Sequence, residues 1–242
     1  MIKIIIHITK FIIATITALL FASCNFVNTI EGSGNVTKEK RMVQGDFKKV
    51  SVNNAIELVI EQAAVTEIVV EADDNIQNDI KISVHNGTLE IHSEHGNFSN
   101  ATRRVIVKMP IIDKIEASSA ATVKSQSVIE GQNIELETSS AANMDINVES
   151  DNISLDSGSG SSINIEGKAL TLKTSASSGS TIDAKRLLAN EIDADASSGA
   201  SLNIHPIVRL KAEASSGASI NYDTTPKIIE KNTNSGGSIN QG

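Results

Sequence analysis

From Glu116 onward, apolar and polar residues alternate along the chain, and the same small corner interrupts the alternation at a regular interval. Ser119, Ser140, Ser159, Ser178, Ser198, Ser216 and Ser235 mark the corner. Each is followed by Ala or Gly and, four residues on, by an apolar residue: Val123, Met144, Ile163, Ile182, Leu202, Ile220 and Ile239. Those apolar positions lie 21, 19, 19, 20, 18 and 19 residues apart. Strict alternation is the pattern of a strand with one buried face. A period near 19 built of such strands predicts a solenoid, in which each coil buries its inward residues against the coils above and below. At about 3.3 Å per residue, a coil of this length accommodates two or three short strands and tight corners, which is a parallel β-helix.

Stacked coils place equivalent residues about 4.8 Å apart, so columns can be read as units. Ile115, Leu136 and Leu155 read as one inward column and the Val123 to Ile239 set as another, with small residues such as Ala117, Ala176, Ala196 and Ala214 at the corners. The corner serines are expected to form a structural hydroxyl ladder, since no base accompanies any of them to make a nucleophile. Asp145, Asn164, Asp183, Asn203, Asn221 and Asn240 follow the inward apolar residues and are read as a stacked polar ladder. On this reading, aspartate is tolerated at the outward Asn164 and not at the inward Ile163.

The preceding stretch, residues 46–113, predicts strands at 50–52, 56–60, 68–71, 80–84, 89–91 and 105–109 without the corner signature. Asn86-Gly87 between two alternating pairs is a two-residue hairpin signal. A solenoid needs its first coil covered, so this half reads as irregular first coils or a cap.

The N-terminus changes the picture. Residues 1–23 carry Lys3 and Lys10, no acid, and an apolar run over 11–22 broken only by Thr15 and Thr17, ending at Ala22-Ser23-Cys24. This is the shape of a secretory signal, and small residues before a cysteine resemble a bacterial lipobox in which Cys24 becomes the lipidated N-terminus. The alternative, a transmembrane anchor, lacks the positively charged stop after Cys24. Cys24 is the only cysteine, so no disulfide can form within one chain. Residues 24–45 show no apolar periodicity and read as the lipidated cysteine plus a flexible spacer, leaving 46–242 as a single β-helix domain whose seven repeats occupy 114–242.

Charge and composition then narrow the partners. The chain has a net charge of −8, which becomes −10 once Lys3 and Lys10 leave with the signal. It carries five Phe, one Tyr and no Trp. An acidic body without stacking platforms does not suit a nucleic acid backbone.

Gly32-Ser33-Gly34-Asn35, Phe47-Lys48-Lys49-Val50-Ser51-Val52, Glu71-Ala72-Asp73-Asp74-Asn75-Ile76, Asn86-Gly87-Thr88-Leu89 and the stretch 105–110 ahead of Ser-rich coils resemble, in order and spacing, the putative auto-transporter adhesin, head GIN domain family common in Bacteroidetes-type lipoproteins. The resemblance covers roughly 45–240. It implies a right-handed parallel β-helix and carries over no catalytic residue. Ala120-Ala121 and Ala141-Ala142 depart from the glycines of the later corners, which predicts a different shape for the first two.

Glu116, Glu137, Asp156, Asp195 and Glu213 share one outward column with Ser175 and Asn232. Stacked carboxylates repel, and either neighbouring Lys114, Lys173 and Lys211 or a bound Ca²⁺ would relieve them. The lysine-balanced face is the simpler reading, so no metal or other cofactor is expected. His85, His92 and His95 surround the hairpin without ligand spacing and read as exposed polar residues.

These features point to a non-enzymatic envelope lipoprotein, held in the outer membrane by its N-terminal lipid, whose repetitive polar surface meets an unidentified envelope protein or glycan. Two alternatives remain open at this level. A polysaccharide-active β-helix enzyme is one, although the coils carry no insertion to frame a cleft and the repeats hold only Arg186 and Arg209. A ligand-free structural envelope protein is the other. No acid follows Cys24 until Glu31, which favours the periplasmic side of the membrane over the cell surface.

Overall fold

The computed structural model describes residues 29–242 together with Lys10, Ile12, Ile13 and Thr15. Cys24 and the rest of the expected signal segment lie outside the described residues. From Ile30 onward the chain is all-β, and nineteen strands are formed among the described residues.

The alternation produces a parallel β-solenoid with two faces. The repeats are β10 (Lys114–Ala117), β11 (Thr122–Ser125), β12 (Ile129–Thr138), β13 (Asn143–Ser157), β14 (Ser162–Ala176), β15 (Thr181–Ala196), β16 (Ser201–Ala214), β17 (Ser219–Tyr222), β18 (Ile228–Thr233) and β19 (Ser238–Gln241). In β13 to β16 a single strand of 14 to 16 residues serves both faces. It bends midway, so each coil has one gentle edge and one sharp Ser-Ser corner. The register follows the predicted columns: Val123 pairs with Met144, Met144 with Ile163, and so on to Ile239. Ile115, Leu136 and Leu155 are likewise stacked and buried.

The first two corners match the later ones. Ala120 and Ala141 have φ of 61° and 62°, beside 69° to 78° for the glycines at the same place. Alanine pays for the left-handed conformation there without altering the turn.

The N-terminal half forms the cap by placing strands out of chain order. β3 (Lys49–Val52) and β4 (Glu57–Gln62) make a coil paired in parallel with β10 and β11 on one side. On its other side lie β7 (Thr88–Ser93) and β9 (Arg103–Met109), also parallel. Three antiparallel strands then close the end: β6 (Ile80–His85) on β7, β5 (Glu67–Asp73) on β9, and β2 (Val36–Arg41) on β5. The predicted hairpin is the β6–β7 connection, with Asn86 and Gly87 both at positive φ, as its two-residue turn requires.

The spacer expectation is corrected here. β1 (Ile30–Glu31) pairs with β8 (Phe98–Ser99), and β2 is the outermost strand of the sheet, so the folded body begins at Ile30 and not at 46. The Gly32 to Asn35 loop is docked on 73–75. Asp73 accepts from the Gly34 and Thr102 amides at 2.6 and 2.7 Å, and Asp74 accepts from Ser33 Oγ and Asn35 Nδ2. A Cβ on Gly32 would meet Asn100 O at 2.4 Å, which explains the glycine. Local apolar periodicity missed this segment because β2 is an edge strand, four of whose six residues are charged. Such a composition shields a sheet edge from pairing with another chain. Lys38, Lys40 and Arg41 are thereby held in regular structure and ion-paired to Glu71, Glu67 and Glu39.

Candidate functional site

The corner serines stack, but through a different group from the one expected. All seven lie in the left-handed region, with φ between 46° and 53°, and their side chains are exposed. The Ser carbonyl accepts from an amide one coil away: Ala120 N to Ser140 O, Ala141 N to Ser159 O, Gly160 N to Ser178 O, and onward to Gly217 N and Ser235 O. The ladder is made of backbone. The inward turn of the chain points the corner side chains to solvent, so the hydroxyl ladder expected of Ser119, Ser140, Ser159, Ser178, Ser198, Ser216 and Ser235 is replaced by a carbonyl ladder.

Buried hydroxyls are found two residues away on either side of the corner. Thr138, Ser157 and Ser161 form a closed triangle at 2.9 to 3.0 Å, and Ser180 donates to Ser157 O at 2.6 Å. These satisfy their own donors inside the solenoid, which is what a buried polar group requires. No base touches them, so the triangle is structural.

The acidic column is in register, with Glu116 beside Glu137, Glu137 beside Asp156 and Asp195 beside Glu213. Two lysines reach between carboxylates, one toward each end of the column. Lys114 Nζ lies 2.7, 2.8 and 3.5 Å from Glu116, Glu137 and Glu135. Burial works against its charge, and the hydrogen bonds to Glu116 and Glu137 outweigh it, so its pKa is raised. Lys211 bridges Asp193 and Glu213 in the same way. Among the described residues no three His, Cys, Asp or Glu side chains converge as metal ligands. Lys114 and Lys211 thus brace the column at Glu116, Glu137 and Glu213.

Asp195 is the strained member. Burial first, then the charges of Asp193 and Glu213, raise its pKa above the ordinary carboxylate value. The folded state therefore holds this proton more tightly than the unfolded chain does. Ionised Asp195 costs stability above its folded pKa, and the cost disappears as pH falls below the unfolded value. Asp195→Asn should raise the thermal midpoint at pH 7 by an amount worth no more than about 0.5 kcal/mol, since solvent screens the site. The gain should vanish when unfolding is repeated near pH 3.

The polar ladder at 145 and beyond is partly realised, with Asn164 Nδ2 donating to Asp145 at 3.0 Å and Asn221 Nδ2 to Asn203 at 3.2 Å. His95 pairs with Asp79 and not with His92, while His85 lies opposite Thr88 in the hairpin.

The feature that outward alternation did not single out is a groove of about 700 Å³ along the gentle edge of coils β12 to β16. Its floor is a column of small residues in register, Gly131, Ser150 and Ala169. Toward β12 and β13 its walls are acidic, with Glu130, Glu149 and Asp151. Toward β16 they are apolar, with Leu170, Leu188 and Ile207 exposed to 54, 42 and 42%. Register makes Leu188 the equivalent of Lys168, Glu149 and Glu130, so charge gives way to hydrocarbon at one outward column. The signal was present in the sequence as apolar residues at outward positions. It needed the fold to show that they share one edge.

This arrangement defines a class of protein: a capped parallel β-solenoid whose surface offers a braced charge face and a longitudinal groove. The chain belongs to the putative auto-transporter adhesin, head GIN domain family, whose model matches residues 46–226. Solved structures with this fold include a putative adhesin from Bacteroides fragilis, at 20% identity and a TM-score of 0.79, covering 88% of this chain and all of that one. A putative lipid binding protein from Parabacteroides distasonis is similar at 16% identity and a TM-score of 0.74, covering 89% of this chain and all of that one. A putative adhesin from Parabacteroides merdae is similar at 18% identity and a TM-score of 0.70, with the same coverage. No curated protein matches the sequence significantly.

Proposed function

We propose that this chain is a non-enzymatic lipoprotein of the bacterial outer membrane, anchored through Cys24, whose body presents the groove on the gentle edge of the solenoid to an envelope partner. The observation that carries this reading is the cluster of Leu170, Leu188 and Ile207, which share one groove on the gentle edge of the repeats. Contiguous exposed hydrocarbon on a soluble body marks an interaction site. No aromatic side chain lines the groove, so it suits a protein segment better than a sugar ring. The reading is also supported by the engagement of both arginines of the repeats: Arg186 with Glu166, and Arg209 with Glu191 and Glu230. Neither is held free in a cleft.

The test has two parts. Metabolic labelling with a fatty acid should mark the wild type and not Cys24→Ala. A photo-crosslinking residue at position 188 should give a discrete adduct in intact cells, and the same residue at Asn152, outside the groove, should not. Equal crosslinking at both positions would remove the groove from the proposal. We place the body on the periplasmic side, where protease added to intact cells leaves it whole. Because Lys38, Lys40 and Arg41 lie in β2, that measurement calls for a protease able to cut the uncharged stretch 25–29 in place of trypsin.

A further inference from the structure

The two most exposed large apolar side chains among the described residues are Met42, at 96%, and Val65, at 74%. They are neighbours. β2 runs antiparallel to β5 with Arg41 opposite Ile68, which brings Met42 beside the β4–β5 turn that carries Val65. Together they line a concave corner of the cap with Val43, Lys40 and Lys108. Neither Met42 nor Val65 contributes to the core.

β2 is the outermost strand at the capped end of the solenoid, and the chain enters the same cap on the side where Val36 faces Asp73, one strand length across from Met42. Only residues 25–29 separate Cys24 from Ile30. Fully extended, the chain from Cys24 to Ile30 reaches at most about 20 Å. A lipid on Cys24 therefore holds this end of the solenoid next to the bilayer.

We propose that the cap rests on the membrane surface, with Met42 and Val65 seated at the boundary between headgroups and acyl chains and Lys40 and Lys108 at the level of the phosphates. This rests on the lipoprotein reading above. Two apolar side chains are too little to bind a free protein to a bilayer. A short tether converts the contact into an intramolecular event at high effective concentration, so a weak contact suffices. The charges here are also locally balanced, with Lys40 against Glu67 and Lys108 against Glu61. The remaining acidic surface of the body is repelled by anionic lipid, which leaves this corner as the favoured point of contact. The solenoid then stands away from the membrane and carries the β14–β16 end of the groove outward.

The single cysteine makes the test direct. A thioether-linked lipid removes the Cys24 thiol, so Met42→Cys, Val65→Cys and Leu170→Cys each carry one free thiol for a fluorescent maleimide. Lipidated full-length protein is reconstituted into phosphatidylethanolamine and phosphatidylglycerol vesicles in which some lipids bear an acyl-chain nitroxide quencher. Probes at 42 and 65 should be quenched about twofold or more, and the probe at 170 should remain unquenched. Quenching at 42 and 65 no greater than at 170 would overturn the proposal, as would energy transfer between labelled copies at those positions, which would assign the corner to self-association. Maleimide labelling of the wild type reports separately on the lipoprotein reading: a labelled wild type means that Cys24 is unmodified and that the tether, not the cap contact, is what failed.

Discussion

Ile163→Asp should abolish folding of the solenoid, seen as loss of the β-sheet circular dichroism signal and of a cooperative thermal transition. Ile163 is 1% exposed and is stacked between Met144 and Ile182 in the inward column. A carboxylate placed there has no partner, and desolvating it costs several kcal/mol, against a total stability of about 5–15 kcal/mol for an ordinary domain. The neighbouring Asn164 points outward, and the structure changes what its replacement should do. Asn164 donates to Asp145, accepts from Arg186 Nη2 at 3.4 Å and stacks on Asp183, so Asn164→Asp would bring three carboxylates together and lose the hydrogen bond to Asp145, with Arg186 offsetting part of the repulsion. A small loss, about 0.5–1 kcal/mol, is expected there, because the site is solvated. Asn164→Ser is the cleaner outward control and should melt within a few degrees of the wild type. An Ile163→Asp protein that melts alongside Asn164→Ser would contradict the assigned faces.

Gly167→Ala is expected to be nearly as damaging, and no feature of the repeat announces it. Gly167 lies in the inward column with Ile129, Val148 and Leu187, just after the register shift between β14 and β15 at 164–166. Its φ is +128°, and a Cβ would lie 1.8 Å from Val148 O. The obstacle is backbone in the next coil, which cannot swing aside, so the strands must separate at a cost of several kcal/mol. Gly160→Ala is the informative comparison. Gly160 is also at positive φ, but its Cβ would meet nothing within 4 Å, and Ala141 already occupies the equivalent place one coil earlier. A penalty of about 1 kcal/mol is expected for Gly160→Ala. Chemical denaturation of the two variants measures the difference, and equal midpoints would show that strain at Gly167 is relieved by a movement that the static coils do not suggest.

Residues 114–242 were legible in the sequence because every signal there is local. Alternation assigns faces, the Ser-Ser corner marks where the chain reverses, and a spacing of 18 to 21 residues brings equivalent positions into one column. The family resemblance rested on short motifs whose reasons emerge only in three dimensions, such as the Gly32 to Asn35 loop held by Asp73, Asp74 and Asn75 some forty residues away. The tertiary structure decided what depends on distant partners. The coil of β7 and β9 lies outside that of β3 and β4, although it follows in the chain, because the strands of the cap choose neighbours by sheet closure and not by sequence proximity. The corner serines bond through their carbonyls because two successive positive φ values turn their side chains to solvent. Leu170, Leu188 and Ile207 become a surface only because coils of unequal length bring them to one edge. Periodicity within the chain thus determined the solenoid and its faces, whereas the cap, the groove and the intolerance of Gly167 depend on contacts between coils, which a single strand's pattern does not encode.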